Sequence, residues 1–404
     1  MSQLLQVATR ILASNGGISV VDALTPPDYV DQGIPYDFSV ELPTLSYIEN
    51  VLPPVYSAQA INDGASLIIG DSTGQNLLVN TTHALSNPPT YRYSSDGGVT
   101  WNGSANLPYG AAGALSYSCN YDEASDTWYV SGYAGNPYWE QKIFASTDGG
   151  ATWGTSQILP NGSLARSVAF GLGANGDLYV TDNNTKTLRR YEGLPGSTAY
   201  TSVSLAGLGL DAIIQGWHIL QISPTRLFAF SAGGDPPPYD GFLVDNDLTN
   251  LVGLPNKFAR VNHWATNGVG TAICLRSPLP EGATATTSVY DIVEEDTPAS
   301  GLPLDTMSLD WVTAVKNVEC CWSEALGGFL IVAQDATTPT TLRIKFSQGA
   351  DFSQWYALPP LTLSYTPNDY SSRQIYWSHG GIYYYGYCSG GGNGAGVLER
   401  ITIA

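Results

Sequence analysis

The reactive side chains of this chain are few and lie far apart along the sequence. Asp122, Glu123, Asp211 and Glu324 are the carboxylates best placed for acid–base work. Glycoside cleavage needs two such acids about 5 to 10 Å apart, and linear spacing brings no pair of these together. His218, His263 and His379 are the imidazoles that a metal would draw on, but their separations of 45 and 116 residues have no ligand spacing. Single hydrogen-bonded histidines are the plainer expectation. The glycine-rich run 389–396 has no lysine after it and leads into a strand-like segment, so it reads as a hairpin loop and not a phosphate cradle. Asp245, Asn246 and Asp247 lack the twelve-residue frame and closing glutamate of a calcium loop. No catalytic residue, cofactor or metal is expected from these types and spacings. The exposed-loop aromatics at Pro137, Tyr138 and Trp139, and the proline run ending at Tyr239, suit sugar stacking or protein contacts.

Those residues must be positioned by a chain of 404 residues, enough for two or three ordinary domains or one large all-β domain. Sixteen Lys and Arg stand against 35 Asp and Glu, a net charge of −19. Nucleic acid needs the opposite surplus, and an anionic membrane repels such a surface. No stretch approaches the roughly 20 apolar residues of a membrane helix, so no insertion is expected. Charged residues make up 13%, against about 25% in ordinary domains, while Gly numbers 44, Tyr 25 and Trp 10. That composition describes β-structure with many turns.

Five cysteines, scattered except for Cys320 and Cys321, make no disulfide framework. Arg10 interrupts the only apolar stretch near the start and no basic region precedes it, so no secretory signal is expected. The sequons at Asn80, Asn102, Asn161 and Asn183 are then fortuitous. The tyrosine-rich, lysine-poor composition is that of a protein made in the cytoplasm that works outside a cell.

Residues 1–50 read as an arm. Ser2 caps a short helix over 3–14, with Leu4, Leu5, Ala8, Ile11 and Leu12 on one face, and Asn15, Gly16 and Gly17 stop it. Two strand-like runs follow at 17–24 and 36–42.

Residues 51–404 carry a repeat. Ser94, Asp96, Gly98, Thr100 and Trp101 recur as Ser146, Asp148, Gly150, Thr152 and Trp153, the two tryptophans being 52 residues apart. A degraded third copy runs from Ser347 to Trp355, 202 residues beyond the second and close to four further steps. Short β-rich runs keep the same beat at 67–70, 128–132, 178–182, 227–231, 271–276, 329–334 and 382–387. Two independent markers in one phase argue for a radial repeat of similar units.

The octet resembles the Asp box, S-x-D-x-G-x-T-W, of sialidases and many other β-propellers. Its chemistry is structural: the glycine pair supplies turn positions with positive φ, Ser and Asp bond the turn backbone, and Trp folds back onto the sheet. The resemblance implies a turn between the third and fourth strands of a blade, remote from any active mouth. Each unit is then a four-stranded antiparallel blade. The third unit has its strands at 166–170, 178–181, 187–191 and 201–205. The seventh has 374–378, 381–387 and 397–403, and lacks a fourth. The expected fold is therefore an all-β, seven-bladed propeller, with six blades the alternative because the fifth unit has no clear strand signal after Arg276. One of the runs at 17–24 and 36–42 is expected to close the ring beside 397–403.

The resemblance to sialidases also implies three arginines around a carboxylate and an R-I-P segment, which this sequence lacks. Arg166, Arg260 and Arg373 fall on presumptive inner strands, with His218 and His263 near them, so these five are the candidate channel or mouth residues. Cys320 and Cys321 are expected as reduced thiols, one packed and one near the channel. The expected function is a non-enzymatic structural, assembly or recognition module, in the manner of a bacteriophage tail or fibre-associated virion protein. Its partners would be other structural proteins or a surface glycan, within an oligomeric assembly. The alternatives are a glycoside hydrolase of sialidase type and an assembly factor for an intracellular complex.

Overall fold

The computed structural model describes residues 45–47, 68–71, 73–80, 90–98, 100–106, 115–134, 140–154, 157–158, 170–182, 185–192, 199–208, 215–233, 239–255, 261–276, 284–297, 305–324, 326–349, 351–363, 374–379, 382–387 and 397–403. Among these the chain is antiparallel β-structure, relieved by one 3-10 turn at Ala206–Leu208.

The first strand in the chain, β1 (Leu45–Tyr47), belongs to the last sheet. The next four form one sheet in chain order: β2 (Ile68–Gly70), β3 (Leu77–Asn80), β4 (Thr90–Ser94) and β5 (Asn102–Asn106). A second sheet holds β6 (Leu115–Asp122), β7 (Thr127–Ala134), β8 (Glu140–Ser146) and β9 (Gln157–Ile158). A third holds β10 (Phe170–Leu172), β11 (Leu178–Asp182), β12 (Thr187–Tyr191) and β13 (Tyr200–Ser204). A fourth holds β14 (Gln215–Ser223), β15 (Arg226–Gly233), β16 (Tyr239–Asp245) and β17 (Val252–Pro255).

The next sheet has seven strands. These are β18 (Val261–Thr266), β19 (Thr271–Arg276), β20 (Ala285–Glu294), β21 (Asp305–Ser323), β22 (Gly328–Asp335), β23 (Thr341–Gln348) and β24 (Asp351–Thr362). Strand β21 has 19 residues and two jobs. Its first part, up to Asp310, pairs with β20, and its second, from Val315, pairs with β22. The register with β20 jumps from Asp310 to Val315 across one partner residue, so the backbone breaks step there. Split at that break, the sheet is two sets of four. The last sheet runs β1, then β27 (Val397–Ile403), β26 (Ile382–Tyr387) and β25 (Gln374–His379).

First strands of successive sets touch in order: β2 with β6, β6 with β10, β10 with β14, β14 with β18, β18 with β21, β21 with β25, and β25 with β2. Most of the apolar clusters join neighbouring sets. Leu78 and Tyr91 of one set meet Trp128, Phe144 and Trp153 of the next. Tyr179 and Leu188 meet Ile219, Leu227 and Phe242. Because sheets cover one another on both faces, the second strands β11 and β22 are buried along their whole length, five residues in one and eight in the other. Each such Leu, Ile or Val contributes about 1.5–3 kcal/mol relative to exposure. The outermost β13, by contrast, is almost wholly exposed.

Several expectations need correction. The third unit's strands fall within a residue of their expected ends from β11 onward, and β27 has the expected bounds. The run 67–70, however, is out of phase with its counterparts: β2 is a first strand, and the second strand of that set is β3. The fifth unit does have strands after Arg276, namely β20 and the first part of β21. A strand from residues 1–50 does flank β27, with Leu45 opposite Ile403 and Tyr47 opposite Ile401. It is neither of the two expected runs. Those runs, and the expected helix over 3–14, lie outside the described residues.

Candidate functional site

The two octets are built alike. In the first, the Ser94 hydroxyl donates to Asp96 Oδ1 at 2.8 Å and accepts from the Gly98 amide at 2.8 Å. Asp96 accepts from the Thr100 amide at 2.8 Å and from its hydroxyl at 2.6 Å. Gly97 and Gly98 take φ of 67° and 81°, which glycine adopts without cost. The second octet repeats this: Ser146 donates to Asp148 at 2.8 Å and accepts from the Gly150 amide at 2.9 Å, and Asp148 holds the Thr152 amide and hydroxyl at 2.8 and 2.5 Å. Burial alone would raise the Asp148 pKa, but the bonds from Thr152 and Ser146 outweigh it and hold the carboxyl below its ordinary value.

The turn serves its tryptophan. Trp153 is buried and lies 5.4 Å from the Tyr91 ring of the preceding sheet. Trp101 is half-buried, and its indole N–H donates to Gly98 O at 3.1 Å. In the degraded copy, Trp355 likewise reaches the preceding set, donating from Nε1 to Tyr290 Oη at 2.8 Å with the rings edge-to-face. In two of the three copies the tryptophan thus reaches the preceding set.

The polar groups that converge do so on the first strands β14, β18 and β21. Alternation sends the consecutive residues His263 and Trp264 of β18 to opposite neighbours. Trp264 faces β14, where the His218 ring stacks on it at 3.8 Å and also packs 5.2 Å from Phe230. His263 faces β21, its Nε2 lying 3.7 Å from Glu319 Oε1. Glu319 is 2% exposed, and its Oε2 has no hydrogen-bond partner among the described residues.

Desolvation governs the charge of this row. Burial, and secondarily the neighbouring His263, pushes the His218 pKa down to about 3. Burial pushes His263 down to about 4. Burial pushes the Glu319 carboxyl well above its ordinary value. Near neutrality the two imidazoles of the row are therefore uncharged. At 3.7 Å the His263–Glu319 contact is longer than a hydrogen bond, so no proton relay is assembled.

Of the five candidate channel residues, His218 and His263 meet around Trp264, while Arg166, Arg260 and Arg373 lie outside the described residues. Asp122 caps its own β6–β7 turn, accepting from the Ala124 amide and the Ser125 hydroxyl. Glu123 and Glu324 are exposed, and Asp211 is outside the described residues. Asp247 holds the amide and hydroxyl of Thr249 in a turn of its own. Cys320 and Cys321 are both buried, in separate apolar clusters. Among the described residues no group of three or more His, Cys, Asp or Glu is placed to hold a metal.

Glu319 was not legible as a site residue. Its one signal is an acid flanked by Val318 and Cys320 in a strand-like run.

No protein-family profile and no curated protein matches the chain in sequence. Solved structures do match in shape. The chain is similar to YCF48 bound to a D1 peptide, with a TM-score of 0.51 at 14% identity, covering 90% of this chain and 98% of that one. It is also similar to a catalytically inactive virginiamycin B lyase from Staphylococcus aureus with quinupristin. There the TM-score is 0.51 at 11% identity, covering 89% and 99%. Both are β-propellers, and at such identities the likeness speaks to the fold alone.

Proposed function

We propose that this β-propeller has seven four-stranded blades of Asp-box type and works without catalysis, as a structural, assembly or recognition module such as a bacteriophage tail or fibre-associated protein. The blade count is supported by the seven first strands that touch in succession from β2 round to β25 and back to β2. Closure by the N-terminal segment is supported by the β1–β27 pairing. One observation carries the functional reading. The converging ionisable groups of the innermost strands, His218, His263 and Glu319, sit between blades: Glu319 is buried, and the two half-buried imidazoles are uncharged near neutrality. Glycoside hydrolysis needs two carboxyl groups, one ionised and one protonated, and this row holds a single carboxyl, that of Glu319. The mouth then serves contacts with proteins or a surface glycan.

One observation favours the glycosidase alternative: burial raises the pKa of the Glu319 carboxyl, the direction a general acid needs. A panel of aryl-glycosides and sialosides separates the two readings. No turnover above background is expected. Turnover that disappears in Glu319→Gln would replace the module with an enzyme.

A further inference from the structure

Each set of four strands ends on an outer strand with an open edge, and an open edge is a template for another strand unless something blunts it. Most of these edges are blunted. Strand β24 carries Pro359 and Pro360 and is interrupted by register shifts. The outer part of β21 begins at Asp305 and ends its pairing with β20 near Asp310. Strand β17 has four residues and ends at Pro255, β9 has two residues and β1 three. Strand β5 reads Asn-Gly-Ser-Ala-Asn, with no β-branched or aromatic residue to favour an extended chain. The exception is β13. It reads Tyr-Thr-Ser-Val-Ser, with no proline, glycine or charge, and all of it but Val203 is exposed, Tyr200 at 41%. The groups on its open edge follow from the ladder. The Leu205 amide donates to Lys186 O at 2.7 Å. Antiparallel alternation then turns the amides and carbonyls of Thr201 and Val203 toward β12, and those of Tyr200, Ser202 and Ser204 away from it.

We propose that β13 pairs antiparallel with β13 of a second copy of this chain, about a two-fold axis at Ser202, joining two four-stranded sheets edge to edge. Charge and self-complementarity select this occupant. The chain carries −19, so two copies repel wherever their surfaces are acidic. Beside β13 the charges balance: Lys186, Arg189 and Arg190 stand against Asp177, Asp182 and Glu192, with Arg189 paired to Asp182 and Arg190 to Asp177 and Glu192. Copies therefore meet there without the repulsion that acts elsewhere. With Ser202 on the axis, Ser202 faces Ser202 and Tyr200 faces Ser204, and each of these pairs exchanges both of its outward backbone bonds. On the other face of the ladder Thr201 lies opposite Val203, a β-branched pair. Each tyrosine ring has a small serine across from it, so neither bulk nor like charge opposes the register. The pairing is independent of whether the propeller mouth is catalytic.

Sedimentation of the intact protein reads the pairing. A five-residue edge buries little area, so the association is of the weak class and is followed up to about 100 μM. Wild type is expected to pass from one copy to two across that range. Ser202→Pro removes an amide that β12 does not use and puts a ring on the axis. It should weaken pairing at least about tenfold while leaving the melting temperature unchanged. Ser202→Lys sets two like charges opposite each other and should act in the same direction. Ser308→Lys, on the exposed outer part of β21, should leave pairing as in wild type. Raising salt from about 0.1 to 1 M shortens the Debye length from about 10 to 3 Å, which screens the acidic remainders and should strengthen pairing. A wild type that stays single throughout, or a dimer that dissolves at high salt as an ion-paired one does, would overturn the proposal. So would a Ser202→Lys variant that pairs as wild type does, or an equal loss in Ser308→Lys. Where Ser202→Pro does not fold, Ser202→Lys decides alone.

Discussion

The turn joining β8 to β9 and the turn joining β23 to β24 hold equivalent tryptophans by different means. In the first, Ser146 and Asp148 bond each other and three further groups of the turn, Gly150 lies against the neighbouring sheet, and Trp153 follows with no hydrogen bond on its Nε1 among the described residues. In the second, the aspartate position is taken by Gly349, and Ser347 makes only long contacts, accepting from the Phe329 amide at 3.3 Å and donating to Gly349 O at 3.4 Å. A tight hairpin pairs Gln348 with Asp351, and a register shift then carries the chain to Trp355 opposite Ser347. The bulge and the indole bond to Tyr290 replace the side-chain cage. The element common to both turns is the aromatic wedge between neighbouring sheets. The hydrogen-bonded box is one of two ways to aim it.

If so, the largest loss in either turn comes from removing the wedge. Trp153→Ala and Trp355→Ala should each cost about 3–5 kcal/mol, read from denaturant midpoints at constant m. A loss confined to Trp153 would mean that the second turn aims nothing that matters.

The glycines come next. A Cβ on Gly150 would stand 2.5 Å from Leu78 Cδ1 of the preceding sheet, at a φ of 89°, so Gly150→Ala should cost about 2–3 kcal/mol. Gly349 has a φ of 57°, a left-handed position that alanine reaches for about 1 kcal/mol. Equal melting temperatures for the two variants would show that the box does not seat its turn against Leu78.

The smallest effect belongs to the carboxylate. Asp148 has a depressed pKa, so its share of stability is present above the ordinary value of 3.8 and fades as pH falls through the folded value. Asp148→Asn should cost up to about 1 kcal/mol at pH 7 and progressively less below pH 4. The Ser347 turn has no such carboxylate, and a Ser347→Ala variant should show no acid-dependent difference from wild type. Thermal melts from pH 7 to 3 compare them.

Legibility followed the range of the interaction. The boxes could be read because the side-chain bonds that close them span four residues or fewer. Strands β11, β12, β13 and β27 could be read because alternation and turn glycines are local signals. Strand β20 was missed because its sequence, Ala-Thr-Thr-Ser-Val-Tyr-Asp-Ile-Val-Glu, mixes polar and apolar residues without regular alternation, and becomes a strand only by pairing on both edges. The run 67–70 was misphased because a first strand and a second strand are equally short and apolar, and only pairing tells them apart.

By itself the sequence determined the turn chemistry of Ser94–Trp101 and Ser146–Trp153, the fifty-residue beat, the β class and the acidic surface, all of which depend on composition or on neighbours within one hairpin. The tertiary structure alone decided that Leu45 sits opposite Ile403, that Trp264 separates His218 from His263, and that Glu319 is buried 3.7 Å from an imidazole 56 positions earlier in the chain. Protonation state depends on desolvation and on the charges nearby, and both come from strands of different sheets. No local pattern of residues encodes that.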